Sequence, residues 1–201
     1  MPELAEVAYY AKQWDAGLGQ RVETVHLHAK ARVFRDLARP ESLKRVLLGK
    51  CYTERRTHGK RMYFRVGDVW LSGHLGMTGK LWCADRDYQP EKHDHLVLCQ
   101  GDRKLVFTDP RMFGHWQKYD RPSMNAYWES LPPEVTDSHF TKIVLSASLK
   151  RRARSPLKAV LLDQEIFPGV GNWMADEILW RCHLDPRRLA GSLKDSDIAL
   201  L

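Results

Sequence analysis

The 201-residue chain is long enough for two modest domains or one large one, and its 43% hydrophobic and 28% charged residues exclude a disordered or fibrous class. A formal charge of +7 and a pI near 9.3 favour a polyanionic partner, nucleic acid ahead of a membrane surface. No apolar run reaches the ~20 residues that span a bilayer and no secretory signal is visible, while Cys51, Cys83, Cys99 and Cys182 form no C-x-x-C pair, so they read as reduced thiols of a cytoplasmic protein.

In chain order, "MPELAEV" predicts a helix starting at Pro2, whose fixed φ and missing N–H suit a first turn. Glu3 and Glu6 are three apart, on neighbouring turns of one face near its positive end. The helix runs to Trp14 and stops near Gly17 and Gly19. Short, partly alternating segments follow ("RVETVHLHA", "CYTERRTHG", "RMYFRV", "VWLSGHLG", "HDHLVLCQ", "KLVFTDP"), with turns at Gly67-Asp68 and Gly101-Asp102; this spacing predicts an antiparallel sandwich or barrel. "ESLKRVLLG" has a helical period instead. Pro132-Pro133 marks a linker. Beyond it "DSHFTKIVLSAS", "SPLKAVLLDQE", "NWMADEILWRCH" and "SLKDSDIALL" predict helices, with Ser155 and Ser192 as candidate N-caps and Pro156 in a first turn. The last amphipathic helix stops before two further turns complete, which reads as a fragment or a short form.

Several motifs carry two readings. Pro2 is either a helix starter or, once Met1 is removed, a secondary amine beside two acids. "RRTHGKRMYF" places Lys60 in a hairpin turn, as a solvated base or a catalytic one. "HLGMTGKL" presents His74 and Lys80 around Gly76 and Gly79, an ordinary turn or an edge that meets phosphate. "TDPRMFG" offers Arg111 and Phe113, either a solvated base with a core ring or a wedge of the kind that opens a duplex and fills the gap. "FPGVGN" is a simple inter-helix turn or a phosphate site, with Asn172 capping the next helix. "KHDH" lacks a complementary ligand set and reads as polar residues at a strand entry, so no metal site is expected.

Together these motifs resemble the bacterial formamidopyrimidine-DNA glycosylase family, related to endonuclease VIII. "MPELAEV" is similar to the family's "PELPEV" start, and "HLGMTGKL", "KHDH", "TDPRMFG" and "GVGN" follow in the family's order. The resemblance implies an α+β fold: an N-terminal two-sheet antiparallel β-sandwich with an N-terminal helix over residues 1–121, a linker over 122–133, and a helix–two-turns–helix domain over 134–201, incomplete at its C-terminus. It implies a base-excision repair glycosylase with AP lyase (β,δ-elimination) activity on oxidised purines such as 8-oxoguanine and formamidopyrimidines. Pro2 is then the Schiff-base nucleophile, Glu3 the proton shuttle, Glu6 the acid that sets geometry, and Lys60 the hairpin lysine that assists at the neighbouring phosphate. His74, Asn172 and Lys158 become phosphate ligands. Met77, Arg111 and Phe113 become the void-filling trio, with Arg111 facing the orphaned base. The implied partner is double-stranded DNA with an oxidised base or abasic site, bound by a monomer without a membrane. The family's zinc finger has no counterpart here, so no cofactor is expected. Trp173 and Met174 stand where Ile and Tyr are common, and Met112 where Arg is. The rival reading is a non-catalytic binder of damaged or bent DNA; retention of Pro2, Glu3, Glu6 and Lys60 favours the enzyme.

Overall fold

The computed structural model describes residues 1–201, which divide into two compact units, Met1–Ser130 and Leu131–Leu201. In the first unit, two four-stranded antiparallel sheets have the orders β1-β6-β7-β5 and β2-β3-β4-β8. The strands are β1 Thr24–Leu27, β2 Tyr52–His58, β3 Arg61–Val66, β4 Val69–His74, β5 Lys80–Asp85, β6 Asp94–Gln100, β7 Arg103–Thr108 and β8 His115–Asp120. Three hairpins use the same device. Gly59-Lys60, Gly67-Asp68 and Gly101-Asp102 each connect paired strands, with φ of +56°, +58° and +53° at the glycine. A positive φ at the first of two loop positions matches the strands' right-handed twist, and glycine adopts it without Cβ strain.

The first helix, α1, spans Leu4–Lys12. It begins two residues later than the sequence predicts, because Glu3 is extended (φ −107°, ψ −178°) and acts as N-cap. Val7 and Ala11 face inward, and a 3₁₀ turn over Gln13–Gly17 drives Trp14 into the core. There Trp14 lies 4.7 Å from Phe64 and 5.7 Å from Trp116 between ring centroids, and its indole N–H donates to the Val106 carbonyl at 3.2 Å. A short α2, Ser42–Leu47, buries Leu43 and Leu47 in the same core.

Part of the expected linker is a helix. Residues Arg121–Glu129 form α3, with Asp120 capping the Ser123 N–H at 2.9 Å and Pro122 in the first turn. Met124 packs with Tyr63 and Trp70 beside Tyr127 and Trp128, which ties α3 to the first unit and moves its boundary to Ser130. Proline there starts a helix rather than breaking one.

The second unit contains α4 Lys142–Arg151, α5 Leu157–Leu161, α6 Asn172–Arg181 and α7 Asp195–Leu200 around a core of Leu149, Leu157, Leu161, Phe167, Val170 and Ala175. Three expected caps differ. Pro156, not Ser155, precedes α5, because Ser155 O and the Leu157 N–H bond the returning segment at Ala190 and Arg188. Ser192 closes a 3₁₀ turn; α7 starts after Lys194, whose N–H donates to Asp197 at 2.9 Å. Gly171 caps α6 and Asn172 is its first helical residue. Arg188 pairs with Asp197 at 2.7 Å and Ile198 packs against the core, so α7 is anchored despite its length. No helix is long and apolar enough to cross a membrane.

Candidate functional site

Two clusters of the predicted residues form in the first unit. The first starts at α1. Pro2 is half-buried and Glu3 is 6% exposed. The Glu6 carboxylate accepts the Glu3 backbone N–H at 2.9 Å, closing the first turn and fixing Glu3. Lys60, at the β2–β3 turn, is half-buried. Burial lowers its pKa, and the Glu3 carboxylate opposes that shift, which puts both charges in one electrostatic neighbourhood.

Lys60 also acts on His74, the last residue of β4. Burial, followed by His115, Arg61, Lys60 and Arg35, lowers the His74 pKa to about 4. His74 and His115 are register partners across β4 and β8, with rings stacked at 5.0 Å and 14°. The His74 Nδ1 accepts the Gly76 N–H at 3.0 Å, so the neutral ring carries its proton on Nε2. A neutral donor thus sits among cations, an arrangement suited to a phosphate oxygen.

The second cluster is a pair of loops, residues 75–79 and 109–114. Met77 (48% exposed) tops the first and Phe113 (43%) the second, with the Arg111 guanidinium 4.6 Å from the Phe113 ring centroid. The loops touch through backbone. Gly76 has φ +64°, and a Cβ there would lie 2.4 Å from Phe113 C and 2.5 Å from Gly114 N. Asp109, fully buried, accepts the Thr78 hydroxyl on one oxygen and the Gly114 N–H on the other, both at 2.7 Å. Met112, adopting φ +53°, is strained in the same loop.

In the second unit, Asn172 is exposed at the start of α6. The preceding turn needs Gly169 at φ +91° and is braced by Gln164, which accepts the Gly169 N–H at 3.2 Å and donates to Val170 O at 2.8 Å. Lys158 is not an unpaired cation: its Nζ lies 2.6 Å from Asp176 on α6.

Sequence reasoning missed Asp109, His115, Arg61, Arg35 and Gln164. Asp109 stood inside a quoted motif, but nothing local distinguishes a clamp from a turn aspartate. His115 requires the β4–β8 register. In "KHDH", Asp94 accepts from Tyr88, Thr108 and the Glu91 N–H, which makes it a structural carboxylate at the strand entry. Cys83 lies on β5 and Cys99 on β6, Cys51 precedes β2 and Cys182 follows α6, and no group of three or more His, Cys, Asp or Glu could hold a metal.

The N-terminal domain model of formamidopyrimidine-DNA glycosylase matches residues 1–116, and the H2TH domain model of the same family matches residues 131–201. A formamidopyrimidine-DNA glycosylase of Geobacter sulfurreducens is 38% identical over 206 residues, covering 100% of this chain and 74% of that protein. A solved complex of the Lactococcus lactis Fpg with abasic-site DNA superposes with a TM-score of 0.88 at 31% identity, covering 98% of this chain and 73% of that one. A structure of MutM with DNA containing carbocyclic 8-oxo-G gives a TM-score of 0.89 at 32% identity, covering 99% and 76%.

Proposed function

The chain belongs to the formamidopyrimidine-DNA glycosylase family, and from that premise we propose that this DNA-repair glycosylase excises oxidised purines and cleaves the resulting abasic site through an N-terminal proline Schiff base. After Met1 is removed, the Pro2 nitrogen attacks C1′ of the damaged nucleoside, and the bond from C1′ to the base breaks. A secondary amine leaves an iminium that is cationic without a further proton, so it draws electrons from the sugar for β- and δ-elimination. The positive end of α1 disfavours an ammonium at Pro2, which keeps the amine nucleophilic.

Glu3 moves the proton during sugar-ring opening and elimination. It does so as a buried carboxylate held by the turn that Glu6 closes. Glu6 sets that geometry, and Lys60 holds the adjacent phosphate. His74 contributes a neutral Nε2–H to the bent strand. Met77 fills the space left by the extruded nucleotide, Phe113 wedges the step, and Arg111 meets the orphaned base. Asn172 takes a phosphate at the start of α6, where the positive end of the helix dipole favours an anion. Lys158, shared with Asp176, contributes a screened charge.

The observation that carries this reading is the placement of Pro2 directly before a buried Glu3, with Lys60 in the same electrostatic neighbourhood. Incubation with a duplex carrying 8-oxoguanine opposite cytosine tests it. Base release and strand cleavage are expected, and both vanish in Pro2→Gly while DNA binding persists. Binding to the damaged duplex without any base release would favour a non-catalytic binder.

A further inference from the structure

We infer that Asp109 is a positioning residue whose carboxylate joins the Met77 loop to the Arg111–Phe113 loop, so that the three side chains enter DNA as one body. This rests on the wedge reading above. The two donors, Thr78 and Gly114, are 36 residues apart, and each carboxylate oxygen takes one of them at 2.7 Å. Asp109 cannot swing away. Its own N–H donates to His93 O at 3.0 Å, and its carbonyl accepts from His95 Nε2 at 2.9 Å.

Met77, Arg111 and Phe113 are exposed, so burial of their own side chains does not fix the loops. What fixes the loops relative to each other is the clamp and the backbone contact at Gly76. Two bonds to one ionised, water-excluded group are stronger than neutral ones and hold both direction and spacing. An Asn at this position would offer one acceptor and turn an N–H₂ toward one donor. A loose pair of loops would still cover a gap, but Arg111 would no longer be held against one base edge.

The test uses Thr78→Val, which removes one limb and keeps Asp109; Thr78→Ser, which keeps the hydroxyl; and Asp109→Asn. Amide hydrogen exchange of DNA-free protein is read at Gly114, on the opposite loop from Thr78. Single-turnover base excision is read opposite cytosine and opposite adenine. Thr78→Val is expected to speed Gly114 exchange and to reduce opposite-base discrimination by about tenfold, the scale of one hydrogen bond to a charged group. Thr78→Ser is expected to restore both. Reaction with an abasic site in single-stranded DNA should be unchanged, which separates positioning from chemistry or misfolding. Unchanged Gly114 exchange and discrimination in Thr78→Val and Asp109→Asn would overturn the coupling. If exchange rises as expected but Arg111→Ala leaves discrimination intact, the wedge reading itself fails.

Discussion

Replacing His74 with Gln should flatten the acid limb of the protein's stability curve. His74 is held at a pKa of about 4 against an ordinary 6.5, chiefly by burial and then by His115, Arg61, Lys60 and Arg35. Between those two pH values the unfolded chain binds a proton that the folded chain refuses. Stability therefore falls as pH drops from 6.5 toward 4, and the difference corresponds to about 3 kcal/mol for this residue. Gln cannot titrate, so His74→Gln removes that dependence while keeping a polar donor at the site. The lowered pKa of His115 remains, because burial, Arg61 and Arg35 cause it. Paired urea titrations at pH 7 and pH 4.5, read through the tryptophan emission of buried Trp14 and Trp116, measure the change. The wild type should lose more stability between these pH values than the variant, by roughly 2–3 kcal/mol. Equal losses would refute a buried, neutral His74 ringed by cations. A consequence for binding follows directly. A neutral donor releases no counterion, so His74→Gln should leave the salt dependence of DNA binding unchanged.

Lys60→Ala, by contrast, should reduce the slope of log affinity against log salt by about 0.9 and slow Schiff-base formation. Because burial lowers the Lys60 pKa, wild-type binding should begin to fall at a pH below 10.5. Gly76→Ala should strip opposite-base discrimination, since its Cβ would sit 2.4 Å from the Phe113 carbonyl carbon and φ is +64°; a discrimination ratio equal to wild type would contradict the described loop contact. Asp176→Asn should release Lys158 and tighten DNA binding with a steeper salt slope. An unchanged slope would mean that Lys158 lies outside the DNA path.

The strands with Gly-bearing turns were legible because hairpin geometry is local: Gly67-Asp68 and Gly101-Asp102 punctuate the sequence where the chain reverses. β5 and β8 were hidden, since "KLWCAD" and "HWQKYD" carry no such turn between them and their motifs. Pro122 misled in the other direction. It falls in the linker expected over 122–133, yet capped by Asp120 and followed by Met124 it starts a packed helix. Among the site residues, the motifs brought Pro2, Glu3, His74 and Arg111 to notice, because each motif is contiguous in sequence, whereas Met77 came only from the family resemblance. His115, Asp109 and Arg61 act on their partners across strands or loops, and pairing register is what a single sequence lacks.

The proposed chemistry requires Pro2 to be the nucleophile. Borohydride trapping on a duplex with 8-oxoguanine opposite cytosine, followed by peptide mapping of the covalent product, measures it directly. One cross-linked peptide beginning at Pro2 is expected, absent from Pro2→Gly and from chain that retains Met1. A cross-link on Lys60 or another lysine, or equal trapping by Met1-bearing chain, would contradict it.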